Sequence, residues 1–109
     1  MTAPRNDSPQ SVTLNSAWNR DEFDAQVTRV TRLAKGQVTS RHEDKTGSQA
    51  HVTAGRKKLI LSLSVGSGIT LAAADVPSNE LMREVLESLE KERIAARVAQ
   101  AAKRLLGHG

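Results

Sequence analysis

Hydrophobic positions along the chain change period twice, and each change marks an element. Phe23, Val27, Val30, Leu33 and Ala34 recur at the helical spacing and make one apolar stripe. Punctuation around them predicts a helix. Asn19 can cap its start, and Glu22 three residues on can reach back to close a capping box. Trp18 and Phe23 are placed as a hydrophobic staple across that cap. Asp21, Glu22 and Asp24 sit at the positive end of the helix dipole, while Arg29, Arg32 and Lys35 sit towards the negative end. Gly36 is the expected stop.

From residue 37 to residue 65 the period falls to two. Segments 37–43 and 48–54 flank Asp44-Lys45-Thr46-Gly47, which has the chemistry of a type I turn ending in a left-handed glycine. Ala54-Gly55-Arg56 is a second turn. Segment 58–65 is the strongest strand, with Leu59, Leu61, Leu63 and Val65 on one face and Ile60, Ser62 and Ser64 on the other. Ile69-Thr70-Leu71, beyond Gly66-Ser67-Gly68, reads as a lead-in to the next helix in preference to a fourth strand. At the other end, residues 1–15 hold two prolines and several small polar residues, with only Val12 and Leu14 to bury. They read as a flexible arm, leaving 16–109 as the single domain.

Ser78 can cap a final helix that Gly107 ends. At about 1.5 Å per residue such a helix is about 42 Å long, more than a small sheet can cover. Its apolar face also switches. Leu81, Met82, Val85, Leu86 and Leu89 share one sector, whereas Ile94, Val98, Ala102, Leu105 and Leu106 lie nearly opposite. No proline or glycine stands at the switch to cause a kink, so a straight helix whose second half packs on another body is expected.

Composition narrows the classes of function. The chain has 109 residues, enough for one small core, with one Trp, one Phe and no Tyr among them. No apolar run approaches the roughly 20 residues of a membrane-spanning helix, and the first residues lack the apolar segment of a secretory signal. Without cysteine there is no disulfide and no thiolate metal site, which fits a reducing cytoplasm. A core of Leu, Val, Ile and Ala this small suggests a homo-oligomer. The net charge of +4 is unevenly spread: residues 1–79 carry +3, residues 80–90 carry −3 and residues 91–109 carry +4. Basicity therefore concentrates at the C-terminal end.

Catalytic patterns are lacking. His42, His51 and His108 have no partner cysteine or nearby carboxylate set to make a metal site, and no serine stands in a nucleophile elbow. Gly66-Ser67-Gly68 lacks the Gly-Lys-Ser/Thr ending of a P-loop, and a plain turn explains it. Glu80, Glu84, Glu87 and Glu90 recur at helical spacing as a solvated face or as salt-bridge partners for another chain. No enzyme activity, cofactor, metal or small-molecule substrate is expected. Arg56, Lys57 and Lys58 at a turn and strand start, and Arg97, Lys103 and Arg104 on the final helix, can instead reach phosphates. No helix is dense in base-reading side chains and no aromatic platform exists, so binding through them would be to phosphates and weakly sequence-specific.

The order of these features resembles a known family. An amphipathic helix is followed by Val38-Thr39-Ser40, an Asp-x-x-Gly turn, an alternating strand ending at Gly55, Arg56-Lys57-Lys58-Leu59-Ile60-Leu61-Ser62-Leu63, and a long Leu- and Ala-rich helix. This layout, over about residues 19–106, is similar to that of the YbaB/EbfC family of small bacterial nucleoid-associated proteins. The resemblance implies an α+β fold with an α-β-β-β-α protomer, a small antiparallel sheet and a long C-terminal helix, assembled as an intertwined homodimer. It implies binding of duplex DNA in the cytoplasm, at the nucleoid, with little base preference. Arg56, Lys57, Lys58, Arg97, Lys103 and Arg104 are the expected contacts. Segment 66–77 is longer than the family's usual strand-to-helix link. The alternative expectation is a protein-interaction adaptor, for example a secretion-associated one, whose acidic 80–90 face and basic 91–104 ridge dock a protein.

Overall fold

A computed structural model describes residues 8–15 and 19–106. The fold is α+β. Its elements run β1 (Ser11–Asn15), α1 (Arg20–Ala34), β2 (Gln37–Asp44), β3 (Gly47–Ala54), β4 (Lys57–Ser64), β5 (Gly68–Ala73) and α2 (Ser78–Leu106). The five strands make one antiparallel sheet in the order β1-β5-β4-β3-β2. Both helices pack on one face of it, and a single apolar cluster joins the layers.

Alternation within the strands decides which face that is. Ala50 and Val52, Leu59, Leu61 and Leu63, and Ile69, Leu71 and Ala73 are buried beneath the helices. Phe23, Val27 and Val30 of α1 and Leu81, Met82 and Val85 of α2 complete the cluster. The opposite face is open and carries Gln49, His51, Thr53, Lys58, Ile60, Ser62, Thr70 and Ala72. Val65 lies past the end of β4 and is exposed, so it does not continue the Leu59-Leu61-Leu63 row.

Two strands correct the expected α-β-β-β-α layout. Residues 69–71, read as a lead-in, belong to β5, which pairs with β4 from Leu59↔Ala73 to Ser64↔Gly68. The physical reason is burial: Ile69 and Leu71 are fully enclosed, which an extended lead-in over the surface would not achieve. Residues 11–15, assigned to a flexible arm, form β1 on the outer edge of β5, from Ser11↔Ala72 to Asn15↔Ile69. Val12 and Leu14 pack against the core, and the Ala73 amide donates to the Gln10 carbonyl at 2.9 Å. Asn79 of α2 then holds the chain ahead of β1. Its Oδ1 accepts from the Gln10 amide at 2.8 Å and its Nδ2 donates to the Ser8 carbonyl at 3.1 Å. One side-chain amide thus imitates a strand partner.

The cap of α1 is as expected: Asn19 Oδ1 accepts from the Glu22 amide at 3.1 Å. The Glu22 carboxylate turns instead towards Gln26 and Asn15, accepting at 3.2 and 3.4 Å. The staple partner Trp18 lies outside the described residues. At the other end the left-handed residue is Lys35, with φ 55°, and not Gly36. Glycine is needed at 36 for a different reason, since a Cβ there would lie 2.4 Å from the Thr53 carbonyl oxygen. The β2–β3 turn differs similarly. Gly47 is not left-handed, but a Cβ on it would lie 2.0 Å from the Leu63 carbonyl oxygen of β4. Asp44 organises that turn by accepting from the amides of Thr46 and Gly47 at 2.8 and 3.0 Å. Gly55, with φ 63°, opens the two-residue β3–β4 turn, the place where a hairpin favours glycine.

Strand β2 is an edge and is exposed along its whole length. Arg41 fixes it to α1. Its guanidinium pairs with Asp24 and Glu43 and lies 5.6 Å from the centre of the Phe23 ring. The hydrogen bond to Asp24 is the chief cause that raises the Arg41 pKa further above its already high value. Charged residues and an irregular register between Val38 and Ser40 keep this edge from templating another strand.

Candidate nucleic-acid interface

Helix α2 begins against the sheet and ends beyond it. Asp75, not Ser78, supplies the cap: its Oδ1 accepts from the Ser78 amide at 3.0 Å and from the Ser78 hydroxyl. Ser78 is fully buried and accepts the Lys58 amide at 2.9 Å, which ties the helix start to β4. Core contacts run through Leu81, Met82 and Val85 to the partly buried Leu86 and Leu89. The last tether to the body is Glu92, which binds Arg32 and Arg29 of α1.

From Arg93 to Lys103 the helix has no cover from the rest of the chain. Every residue from 93 to 103 is exposed, with Ile94 at 52% and Val98 at 63%. The radius of gyration is 16.2 Å, against the roughly 13 Å of a compact chain this long. The uncovered stretch stays helical because it propagates from an anchored helix and needs no nucleus of its own. Ala95, Ala96, Ala99, Ala101 and Ala102 give it high intrinsic propensity, and Lys103 and Arg104 suit the negative end of the dipole. The expected face switch is therefore present in an uninterrupted helix, and Ile94, Val98 and Ala102 of its second apolar stripe are uncovered in the single chain.

The six cations singled out in the sequence fall into two groups that the fold keeps apart. Arg56, Lys57 and Lys58 lie beside the start of α2. They diverge: Arg56 is at the turn, Lys57 reaches Glu80 at 3.5 Å, and Lys58 is on the open face of the sheet. Arg97 and Lys103 lie about 28 and about 37 Å further along α2. Arg104 follows in the same helical turn. Arg56, Arg97 and Lys103 form no ion pair with the described residues, whereas Arg93 is held by Glu90 at 2.9 Å. After Glu92 the chain contains no acidic residue at all. The distal helix is thus the longer uncompensated run of positive charge.

Other candidate sites are weaker. A groove of about 610 Å³ between β1, α1 and α2 is floored by Val12, Leu14, Leu86 and Leu89. Its rim cations Arg29 and Arg93 already face Glu92 and Glu90, so it offers an anion little. His42 and His51 stand on neighbouring strands, His42 3.7 Å from Asp44 and His51 3.2 Å from Gln49. Among the described residues no three metal-ligating side chains come together. No described helix is long and apolar enough to cross a membrane. No protein-family model, no curated protein and no solved structure matches the chain.

The Glu92 tether and the Asn79 clamp went unnoticed in the sequence. Both join residues far apart in the chain, and neither sits in a local motif. Only the loss of acidic residues after Glu92 hinted that this position ends the part of the helix belonging to the body.

Proposed function

We propose that the protein is a homodimeric, nucleoid-associated DNA-binding protein that contacts duplex DNA through phosphates with little base preference. One observation carries the reading: the distal half of α2 bears an uncovered apolar stripe and, on other sides of the same helix, uncompensated cations. The apolar stripe calls for a second chain. Arg97 and Lys103, exposed and in no ion pair with the described residues, suit a partner of continuous negative charge. Binding would proceed by release of counterions from the duplex, which is blind to sequence and steeply dependent on salt. Arg97, Lys103 and Arg104 are the principal contacts, with Arg56, Lys57 and Lys58 as a separate, subsidiary group near the body. The resemblance to the YbaB/EbfC layout supports the same reading and a cytoplasmic setting.

Fluorescence anisotropy of a labelled, arbitrary duplex, titrated at several salt concentrations, tests it. Affinity should fall log-linearly with salt, and replacing Arg97, Lys103 and Arg104 together with Ala should flatten the slope. Absence of binding at low salt, where the attraction is strongest, would favour the adaptor reading. That reading draws on Glu84 and Glu87, which are exposed beside the basic half of the same helix and present a protein partner with both signs of charge.

A further inference from the structure

The two edges of the sheet are not alike. On β2, the outer strand at one end, Arg41, Glu43 and Asp44 load the edge with charge, and the register breaks between Val38 and Ser40. On β1, the outer strand at the other end, Ser-Val-Thr-Leu-Asn carries no charge and no proline. Free edges are ordinarily blunted by charges, bulges or prolines. Here one edge is blunted and the other is left open.

The backbone of β1 offers a definite set of groups. In antiparallel pairing the positions that bond inwards and outwards alternate along a strand. The Gln10 carbonyl accepts from the Ala73 amide at 2.9 Å and so faces β5. By that alternation the backbone groups of Val12 also face β5, in register with Leu71, while Ser11 and Thr13 turn their N–H and C=O outwards. Both residues are exposed, and among the described residues none bonds to these outward groups. The register shift of β1 comes only after Thr13, so this stretch of edge is regular.

An apolar groove runs alongside. Val12 and Leu14 point to the helix side of the sheet, where with Leu86 and Leu89 of α2 they floor about 610 Å³. Thr13 lines the same groove although it is opposite Thr70 of the open face, so the groove reaches the backbone of the edge. Charges on the rim cancel: Glu90 holds Arg93, and Glu92 faces Arg29. A strand added outside β1 would bond to Ser11 and Thr13 and drop alternate side chains into an apolar, electrically balanced space.

We propose that the outer edge of β1 receives an extended segment of another protein as a sixth strand, a segment uncharged along the paired stretch and apolar at alternate positions. Backbone bonds supply the affinity, and the groove supplies the preference for apolar side chains on one side. The five residues of β1 span about 17 Å, so about two or three side chains of the segment reach the groove. This does not rest on DNA binding, because none of the proposed phosphate contacts lies on this edge or in the groove.

A second copy is the poorer occupant. Arg93 and Ala96 of α2 line the groove, and no acidic residue follows them in the chain. Pairing β1 with β1 of another copy would bring two such basic helix ends to one edge. A short uncharged segment brings no like charge with it.

The full-length protein would be titrated with acetylated, amidated peptides of alternating Val and Thr bearing a Gly-Ser tail for solubility. Main-chain bonds are common to all such peptides, so they should bind, shift the amide resonances of Ser11 and Thr13, and slow the exchange of both. Methylating the peptide nitrogens that face β1 should cost about tenfold in affinity for each bond lost. Methylating the alternate set, which faces solvent, should cost little. Thr13→Pro removes an outward N–H and leaves the bonds to β5 in place, a change that edge strands accept, and it should weaken binding similarly. Equal losses from the two methylated sets would mean that side chains alone hold the peptide, and would overturn strand addition. No shift at Ser11 and Thr13 with millimolar peptide would overturn the site itself. Protection of these amides that grows with protein concentration and ignores the peptide would give the edge to a second copy and overturn the proposal as well.

Discussion

Arg32 Nη2 donates to both carboxylate oxygens of Glu92, at 3.2 and 3.0 Å, and Arg29 Nε stands 3.9 Å from the same carboxylate. This is where α2 leaves the body. Upstream of Glu92 the helix contributes Val85, Leu86 and Leu89 to the core; downstream every residue to 103 is exposed.

Glu92→Gln should loosen the departure point without unfolding the protein. All three side chains are well exposed, so the loss should stay below about 1 kcal/mol. Hydrogen exchange should quicken for amides near residues 86–92 while those of β4 remain protected. Equal acceleration in the sheet would show that the pair supports the whole fold and is no local tether.

Asn79→Ala should release the chain ahead of β1. Two hydrogen bonds to backbone groups of residues 8 and 10 are lost, at a cost of about 1–2 kcal/mol. Faster exchange at the Gln10 amide, with β3 and β4 unchanged, is the expected signature. A variant that keeps Gln10 protected would mean that the segment is held without Asn79, by contacts such as the Ala73 amide on the Gln10 carbonyl and the β1–β5 pairing.

What could be seen in the sequence was what local chemistry fixes. Asn19 and Glu22 declare the start of α1 because capping acts over three residues, and the Leu59-Leu61-Leu63 row declares β4 because a buried face enforces alternation. β1 and β5 were missed because their strand character comes from each other: Val12 pairs with Leu71 across 59 residues of chain. Gly36 and Gly47 were noticed for the wrong reason. Turn chemistry suggests left-handed backbone, whereas both are glycines because a neighbouring strand's carbonyl passes too close for a Cβ. In the candidate site, the charge run of α2 and its face switch were legible by counting. That Arg56–Lys58 and Arg97–Arg104 do not share a patch in one protomer was not, because it depends on the length of a helix that overhangs the sheet.

The three structural glycines should rank by mechanism. Gly47→Ala and Gly36→Ala each force a methyl into a backbone oxygen, at 2.0 and 2.4 Å, and should cost towards the upper end of about 1–3 kcal/mol. Gly55→Ala meets nothing within 4 Å and suffers only the left-handed backbone, about 1 kcal/mol. Urea midpoints should fall in that order. Gly55→Ala proving the most harmful would mean that backbone preference outweighs steric contact in this sheet.

Replacing Phe23 should be the most damaging single change in α1. The side chain is fully buried at the centre of the cluster, and Arg41 of β2 rests over its ring. Phe23→Ala should cost about 3–5 kcal/mol, a large share of the about 5–15 kcal/mol that holds a typical domain. Phe23→Leu keeps most of the volume but loses the ring face and should cost less, so comparing the two melts separates cavity formation from the cation–ring contact.

Acid should weaken the β2–β3 hairpin through Asp44. Its carboxylate accepts from the Thr46 hydroxyl at 2.7 Å and from the Thr46 and Gly47 amides, and these bonds, the hydroxyl's first, hold its pKa below the ordinary carboxylate value. The folded state therefore binds a proton less readily than the unfolded chain. The stabilisation is complete above the unfolded pKa of about 4 and is lost as pH falls through the lower, folded value. Asp44→Asn cannot ionise and lacks this contribution at every pH. Urea midpoints of the parent and Asp44→Asn, measured from about pH 2 to about pH 7, should differ most near neutrality and converge in acid. A gap of constant size across that range would show that Asp44 acts through shape alone, and that its charge does nothing for the turn.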